Sequence, residues 1–466
     1  MTGNLLTKLP LEVSCTAMEC DMTKGSPLRL ILTFSIPLFI GNLFQQLYSM
    51  VDTIVVGRFV GVDALAAVGS TSGFSFMVVG FAQGLTAGFS VLVSQSFGAK
   101  DIPMIKKTYA QSILCSALCS IAIAVIFALL SMPLLRLIDT PENIIQDANT
   151  YILIIYLGIG TAIFYNLFSS ILRAVGDGRS PVYFLLIASA LNIVLDLFFV
   201  IVIPLGCAGV AIATIIAQGI SAVISFFYIK KRFPMFRLSR SDFKLDRQLC
   251  IRLMKIGIPG AVQFSVCAIG VIIVQTAINS FGSDTVAAYS VGGKIENIIT
   301  QFSPAVGMGI STFAGQNLGA GKLDRIRKGF RTSFAIMTVG AIIATAIAMI
   351  FADSFSYIFM DKNSTSPEII AMASQYVRTI AWFFIPLGSI FIFRTGCQGL
   401  GSGTIPMISS IAELVMRAIA AFTLPIAFGY TGICFASPVA WCGAGFLLPF
   451  IYLYKMRHIE KDYKVA

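Results

Sequence analysis

Twelve apolar stretches, each long enough to cross a bilayer, leave this chain of 466 residues few ways to fold. A spanning helix needs about 20 predominantly apolar residues. Such stretches fall at roughly 29–57, 64–96, 108–135, 149–172, 181–203 and 206–230, then 253–280, 285–317, 330–352, 369–398, 405–426 and 430–454. Lipid offers the backbone no hydrogen bonds, so runs of this length must be helical. Only 12% of residues are charged, against about 25% in a soluble domain. The fold class is therefore an all-α polytopic membrane protein with the lipid bilayer as its solvent. The first 27 residues are polar and lack an apolar core, so no cleavable signal peptide is expected.

The net charge of +11 does not point to nucleic acid, because the basic residues sit in short loops beside the spans. One side carries Lys100, Lys106 and Lys107, then Arg173 and Arg179, the run 230–255, Lys322, Arg325, Arg327 and Lys328, and the tail's Lys455, Arg457, Lys461 and Lys464. The other carries Asp139, Glu142 and Asp147, then Asp353, Asp361 and Glu368. The positive-inside rule then puts both termini in the cytoplasm of a cell. The expected divisions are a cytoplasmic tail over 1–27, a first lobe over 28–230, a cytoplasmic linker over 231–252, a second lobe over 253–454 and a tail over 455–466.

The two sets of six spans repeat one another. Gln95, Gly98 and Ala99 reappear as Gln316, Gly319 and Ala320, and Gly61 and Asp63 as Gly282 and Asp284, a shift of 221. Gly176, Gly178 and Pro181 reappear as Gly401, Gly403 and Pro406, a shift of 225, and the drift implies loop insertions. Six spans per repeat make both halves face the same way, so a pseudo-twofold along the membrane normal relates two six-helix bundles.

Polar residues inside the spans locate function. Pro37 kinks the first helix. Asp52 lies among Val51, Ile54, Val55 and Val56, and an acid so placed marks an ion or substrate path by default. Asn192 and Asp196 share a helix face at i,i+4. Thr214 and Asp196 each lie eight residues from the Pro204–Gly206 turn, and Asp52 lies nine from Gly61. At 1.5 Å per residue all are roughly 12 Å from that end. Two carboxylates, an amide and a hydroxyl at one level suit a hard cation, or acids that share and release protons. The bland alternative is helix–helix hydrogen bonding, the common role of an isolated Asn or Thr in a span.

In the second half Glu413 and Arg417 are spaced i,i+4 and read as a structural ion pair, with Arg394 also inside a span. Glu296, beside Lys294, either faces a cavity or packs. Phe44, Tyr48 and Met77 either line a substrate path or pack between helices. Gly80, Gly84 and Gly88 suit close helix packing. Ten cysteines without metal-ligand spacing and a lone His458 leave no histidine-based site. No phosphate loop, kinase signature or GxSxG elbow is present, so no enzyme and no cofactor beyond a coupling ion is expected.

The stretch IPLFIGNLFQQLYSMVDTIVVGRFVGVDALAAVG, the Gly98-Ala99 loop, and ILRAVGDGRSP followed by LNIVLD resemble the multidrug and toxic compound extrusion (MATE) transporters over nearly the whole chain. The resemblance implies two bundles forming a V around a central cavity. It also implies export of small organic cations, often drugs, in exchange for entering H⁺ or Na⁺; the chain is expected to act as a monomer. Residue by residue, Asp52, Asn192, Asp196 and Thr214 match the first-lobe cation site of the DinF-like branch, and Pro37 matches its bending proline. The NorM-like branch places an acid in the seventh helix, where this chain has Ala268 and neighbouring apolar residues. A flippase for a lipid-linked or polyanionic substrate is the alternative reading, resting on Arg394 and Arg417.

Overall fold

The computed structural model describes residues 21–359 and 366–465. The tail with Cys15 and Cys20, and the loop residue Asp361, lie outside the described residues. Fifteen helices follow in order: α1 Pro27–Val55, α2 Val62–Gly98, α3 Ile102–Leu137, α4 Ile145–Leu157, α5 Ile159–Ala174, α6 Ser180–Leu197, α7 Gly206–Arg232, α8 Arg247–Asn279, α9 Ser283–Ile299, α10 Phe302–Gly319, α11 Leu323–Phe359, α12 Pro367–Ala381, α13 Phe384–Gly399, α14 Thr404–Cys434 and α15 Ala436–Val465. Proline at the first turn starts α1, α3, α6 and α12 without losing a helical hydrogen bond. Asp101 and Asp246 cap α3 and α8 by accepting from the amides of Met104 and Leu249.

Nine of the described helices are long and apolar enough to cross a bilayer alone. Two further crossings are bent pairs, α4 with α5 at 47° and α12 with α13 at 54°. The remaining crossing is α9 with α10, broken at Thr300–Gln301. Shifting α2 by 221 residues gives 283–319, the bounds of the α9–α10 pair. Twelve crossings in two lobes result.

The backbone repeats as well as the sequence. Gly61, Lys100, Gly176 and Gly206 turn with positive φ, and so do their counterparts Gly282, Gly321, Gly401 and Gly429. The last of these breaks α14 at φ 55°, so the end of α14 already belongs to the final crossing.

The lobes meet on the side of the basic loops and part toward the acidic side. A Cβ on Gly84 of α2 would lie 2.2 Å from the Gly260 carbonyl oxygen of α8, and one on Gly88 2.5 Å from Gly257 Cα. The glycine stripe thus lets two backbones touch. At Gly73 only the tip of Ile272 comes within 4.0 Å, and a Cβ on Gly69 would meet open space. On the basic side Gly98 and Gly319 cross symmetrically: a Cβ on either would lie within 2 Å of the Gln316 or Gln95 carbonyl oxygen of the other lobe.

The start of the described chain straps this junction. Met22 is fully buried; its amide donates to Gln316 Oε1 at 2.8 Å, and its carbonyl accepts from Asn317 Nδ2 and Arg325 Nη2, each at 3.0 Å. At the other end Tyr463 donates to the Leu318 carbonyl at 2.8 Å. Both ends of the described chain therefore lie on the basic face.

Candidate ion-coupling site in the first lobe

α1 delivers Asp52, α6 delivers Asn192 and Asp196, and α7 delivers Thr214. Asp196 is fully buried, Asn192 is 2% exposed, and Asp52 is partly buried. The two carboxyls lie within hydrogen-bonding reach of each other. Asn192 Nδ2 donates to Asp196 Oδ1 at 3.2 Å. Asp52 Oδ1 and Asp196 Oδ2 find no donor among the described residues, and no basic side chain contributes to the surroundings of either acid. An uncompensated pair of carboxylates in a low-dielectric interior is costly. A proton shared between them, or a cation bound to both, removes that cost. The four polar residues singled out by depth are brought together.

Two tyrosines complete the cluster. Tyr48, one turn before Asp52 on α1, donates to Asn192 Oδ1 and lies beside the Thr214 hydroxyl. Thr214 itself donates to the Val210 carbonyl at 3.0 Å, leaving its lone pairs toward the site. Tyr151 of α4 lies within electrostatic range of both acids. Tyr151 carries no motif; its one sequence signal is the repeat of Ala148-Asn149-Thr150-Tyr151 as Ala373-Ser374-Gln375-Tyr376.

Immediately beyond each acid the helix widens into a π turn, Val56–Val60 after α1 and Phe198–Val202 after α6. Part of the drift in repeat spacing thus lies inside helices, where the sequence suggested loop insertions. With the extra residue counted, the second-lobe counterpart of Asp52 is Val274 and that of Asp196 is Ala421; both are buried apolar residues.

The remaining expected residues scatter. Pro37 sits inside α1, fifteen residues before Asp52. Phe44 is 45% exposed, and Met77 packs against the first-lobe core beside Val78 and Ala82. Glu296 lies in the second lobe, where it accepts from the Tyr376 hydroxyl at 2.6 Å. Arg417 is within electrostatic range of Glu296. The expected Glu413–Arg417 pair forms at 2.6 Å, and Arg394 holds the other oxygen of Glu413, also at 2.6 Å. Among the described residues no group of three His, Cys, Asp or Glu side chains could hold a metal ion.

The MatE family model matches residues 37–198 and again 259–423, once per repeat. The chain belongs to the MATE family of transporters. A probable multidrug resistance protein of Bacillus subtilis, YpnP, is 31% identical over 82% of this chain and 84% of its own. An FAD transporter of Shewanella oneidensis is 23% identical over 88% of this chain and 91% of its own. The solved outward-facing structure of a multidrug resistance MATE transporter superposes with a TM-score of 0.88, at 22% identity over 96% of this chain and 99% of that one. The MATE fold accounts for two lobes that meet on the basic side and part toward the acidic side.

Proposed function

We propose that this MATE transporter exports organic cations, drugs among them, in exchange for H⁺ or Na⁺, with the coupling ion held by Asp52 and Asp196 and by the oxygens of Asn192 and Thr214. The observation that carries the reading is buried Asp196 paired with partly buried Asp52, with no cationic partner among the described residues. Such a pair binds a proton or a small cation in any state that exposes it, and coupling follows when ion and drug favour different states. Pro37 supplies the hinge in α1. Phe44 and Met77 offer contacts for an apolar cation, and Glu296 offers a charge. We place the chain in the plasma membrane as a monomer, with both ends inside, and assign it no cofactor beyond the coupling ion. The names of multidrug relatives support the substrate class.

The test is transport of a fluorescent organic cation by reconstituted protein under separately imposed proton and sodium gradients. Accumulation driven by one gradient and abolished by its collapse supports the reading; accumulation indifferent to both contradicts it.

A second reading, export of a polyanion or lipid-linked substrate, is favoured by Arg417, whose Nε is buried without a partner among the described residues. It gains support from a relative named as a transporter of FAD, an anionic dinucleotide. Competition decides between them: inhibition of cation uptake by the dinucleotide, lost in Arg417→Gln, would favour the second reading.

A further inference from the structure

We propose that the two π turns are positioning elements of the Asp52–Asp196 pair, built by residues that the first repeat has and the second lacks. The inference rests on the proposed role of that pair. A π turn is an α-helix with a residue inserted, and such turns gather at functional sites. From Pro37 to Gly61 the first repeat takes 24 steps, where Pro259 to Gly282 takes 23. The turn Val56–Val60 absorbs the difference, its last bond running from the Gly61 amide to the Val56 carbonyl at 3.2 Å. From Pro181 to Gly206 there are 25 steps, against 23 from Pro406 to Gly429. There the turn Phe198–Val202 closes from the Ile203 amide to the Phe198 carbonyl, also at 3.2 Å, and takes up one of the two extra residues. Neither α8 nor α14 carries a π turn.

One residue advances an α-helix by about 100°. With Gly61 and Gly206 fixed in their turns, a purely α-helical path would rotate each acid by about that angle relative to the outer end of the lobe. The turns also make a seal. Val56 and Val200, each four residues past an acid, are buried in one cluster with Ala64, Cys207 and Val210. A Cβ on Gly206 would lie 3.8 Å from Val60 Cγ1. The acids are thereby capped on the acidic-loop side by apolar contacts.

Deleting the exposed Phe59 from the full chain shortens the first turn without touching Val56 or Asp52. We expect reconstituted ΔPhe59 to equilibrate a fluorescent cation downhill within about twofold of wild type. Gradient-driven accumulation should fall at least tenfold and its pH or sodium profile should flatten. Inserting one alanine after Gly57 in ΔPhe59 restores length and should restore coupling; failure to do so would overturn the proposal, even if ΔPhe59 itself were inactive in every assay. Wild-type coupling in ΔPhe59 would overturn it equally. Loss of coupling in Asp196→Asn alongside wild-type coupling in ΔPhe59 removes this inference alone, whereas full coupling in Asp196→Asn removes the reading beneath it.

A different observation carries a second inference. Where the inter-lobe linker meets the start of α3, a cavity of about 690 Å³ is lined by Lys106, Lys107, Lys244 and Arg247, with Asp242 and Asp246. Both acids are already engaged. Asp242 accepts from the Ser239 amide and hydroxyl, each at 2.7 Å, and Asp246 pairs with Lys107 at 2.6 Å. Ile102 and Leu245 at the rim are 50% and 71% exposed. Buried Gln111 pins the linker here, donating to the Lys244 carbonyl at 2.9 Å.

We infer that this cavity holds the phosphate of an anionic phospholipid, with its chains against Ile102 and Leu245. Spare cations beside exposed apolar side chains at the ends of spanning helices fit a lipid better than a soluble anion. Native mass spectrometry of the full chain with phosphatidylglycerol or phosphatidylcholine tests this. Retention of phosphatidylglycerol should fall about thirtyfold in Lys106→Gln/Lys244→Gln, with phosphatidylcholine unchanged, and should also fall in Leu245→Ser. Undiminished retention in the double variant, or displacement by millimolar inorganic phosphate, would overturn the assignment.

Discussion

Tyr48 and Gly270 occupy the same position in the two repeats, 222 residues apart, and the exchange of a large residue for none fixes what each lobe can bury. In the first lobe the Tyr48 ring reaches Asn192. In the second lobe the counterpart of Asn192 is Arg417, and a Cβ on Gly270 would lie 3.3 Å from Arg417 Nη1. The missing side chain makes room for a guanidinium. One lobe consequently buries two acids without a cation, and the other pairs its charges around Glu413.

The pairing predicts unequal costs. Glu413→Gln removes the one carboxylate bonded to both Arg394 and Arg417, leaving only the more distant Glu296 near Arg417, and should destabilise by roughly 3–5 kcal/mol. Arg417→Met leaves Arg394 on Glu413 and should cost less. Thermal unfolding in detergent checks the order. Equal losses would mean that the triad is not read correctly.

The junction on the basic face carries a second prediction. Gln95 Nε2 donates to the Gly399 carbonyl at 3.1 Å, and its repeat partner Gln316 donates to the Ala174 carbonyl at 2.9 Å. Gln316 also accepts from the Met22 amide, a bond for which Gln95 has no counterpart among the described residues. Each lost buried bond costs about 1–3 kcal/mol, so Gln316→Ala should open the basic face more than Gln95→Ala. Spin-label distances across that face should show a larger wide-distance population in Gln316→Ala.

The linker should respond to acid. Ser239 holds the Asp242 carboxyl below the ordinary carboxylate range, and Lys107 does the same for Asp246. A depressed folded value contributes stability that is complete above the ordinary value of about 4 and is lost as pH falls through the folded value. Hydrogen exchange of residues 239–250, corrected for intrinsic rates, should accelerate below about pH 4 and stay flat above it. Lys107→Gln should move the onset upward in pH.

Much of this was legible in the chain because lipid removes choices. Span length, loop charge and the repeat require only local counting, and depth alone gathers Asp52, Asn192, Asp196 and Thr214. What stayed hidden depends on rotation and on contacts between distant segments. Tyr48 read equally as a substrate contact or as helix packing until α6 was placed beside it. Tyr151 shows in the sequence only as a repeat of Tyr376, and its place beside the acids appears once α4 is packed against α7. The π turns were present as a change of one or two in repeat spacing, but spacing does not say whether a residue is absorbed in a loop or in a helix. Arg394 joined Glu413 only once α13 and α14 were packed, since the two are nineteen residues apart.

The central claim is that the Asp52–Asp196 pair carries the coupling ion. Gradient-driven uptake and downhill exchange of one fluorescent cation, measured side by side for wild type, Asp52→Asn and Asp196→Asn in proteoliposomes, test it most directly. We predict that each variant keeps downhill exchange and loses at least tenfold of gradient-driven accumulation, together with its dependence on pH or sodium. Full ion-driven accumulation by Asp196→Asn would contradict the account.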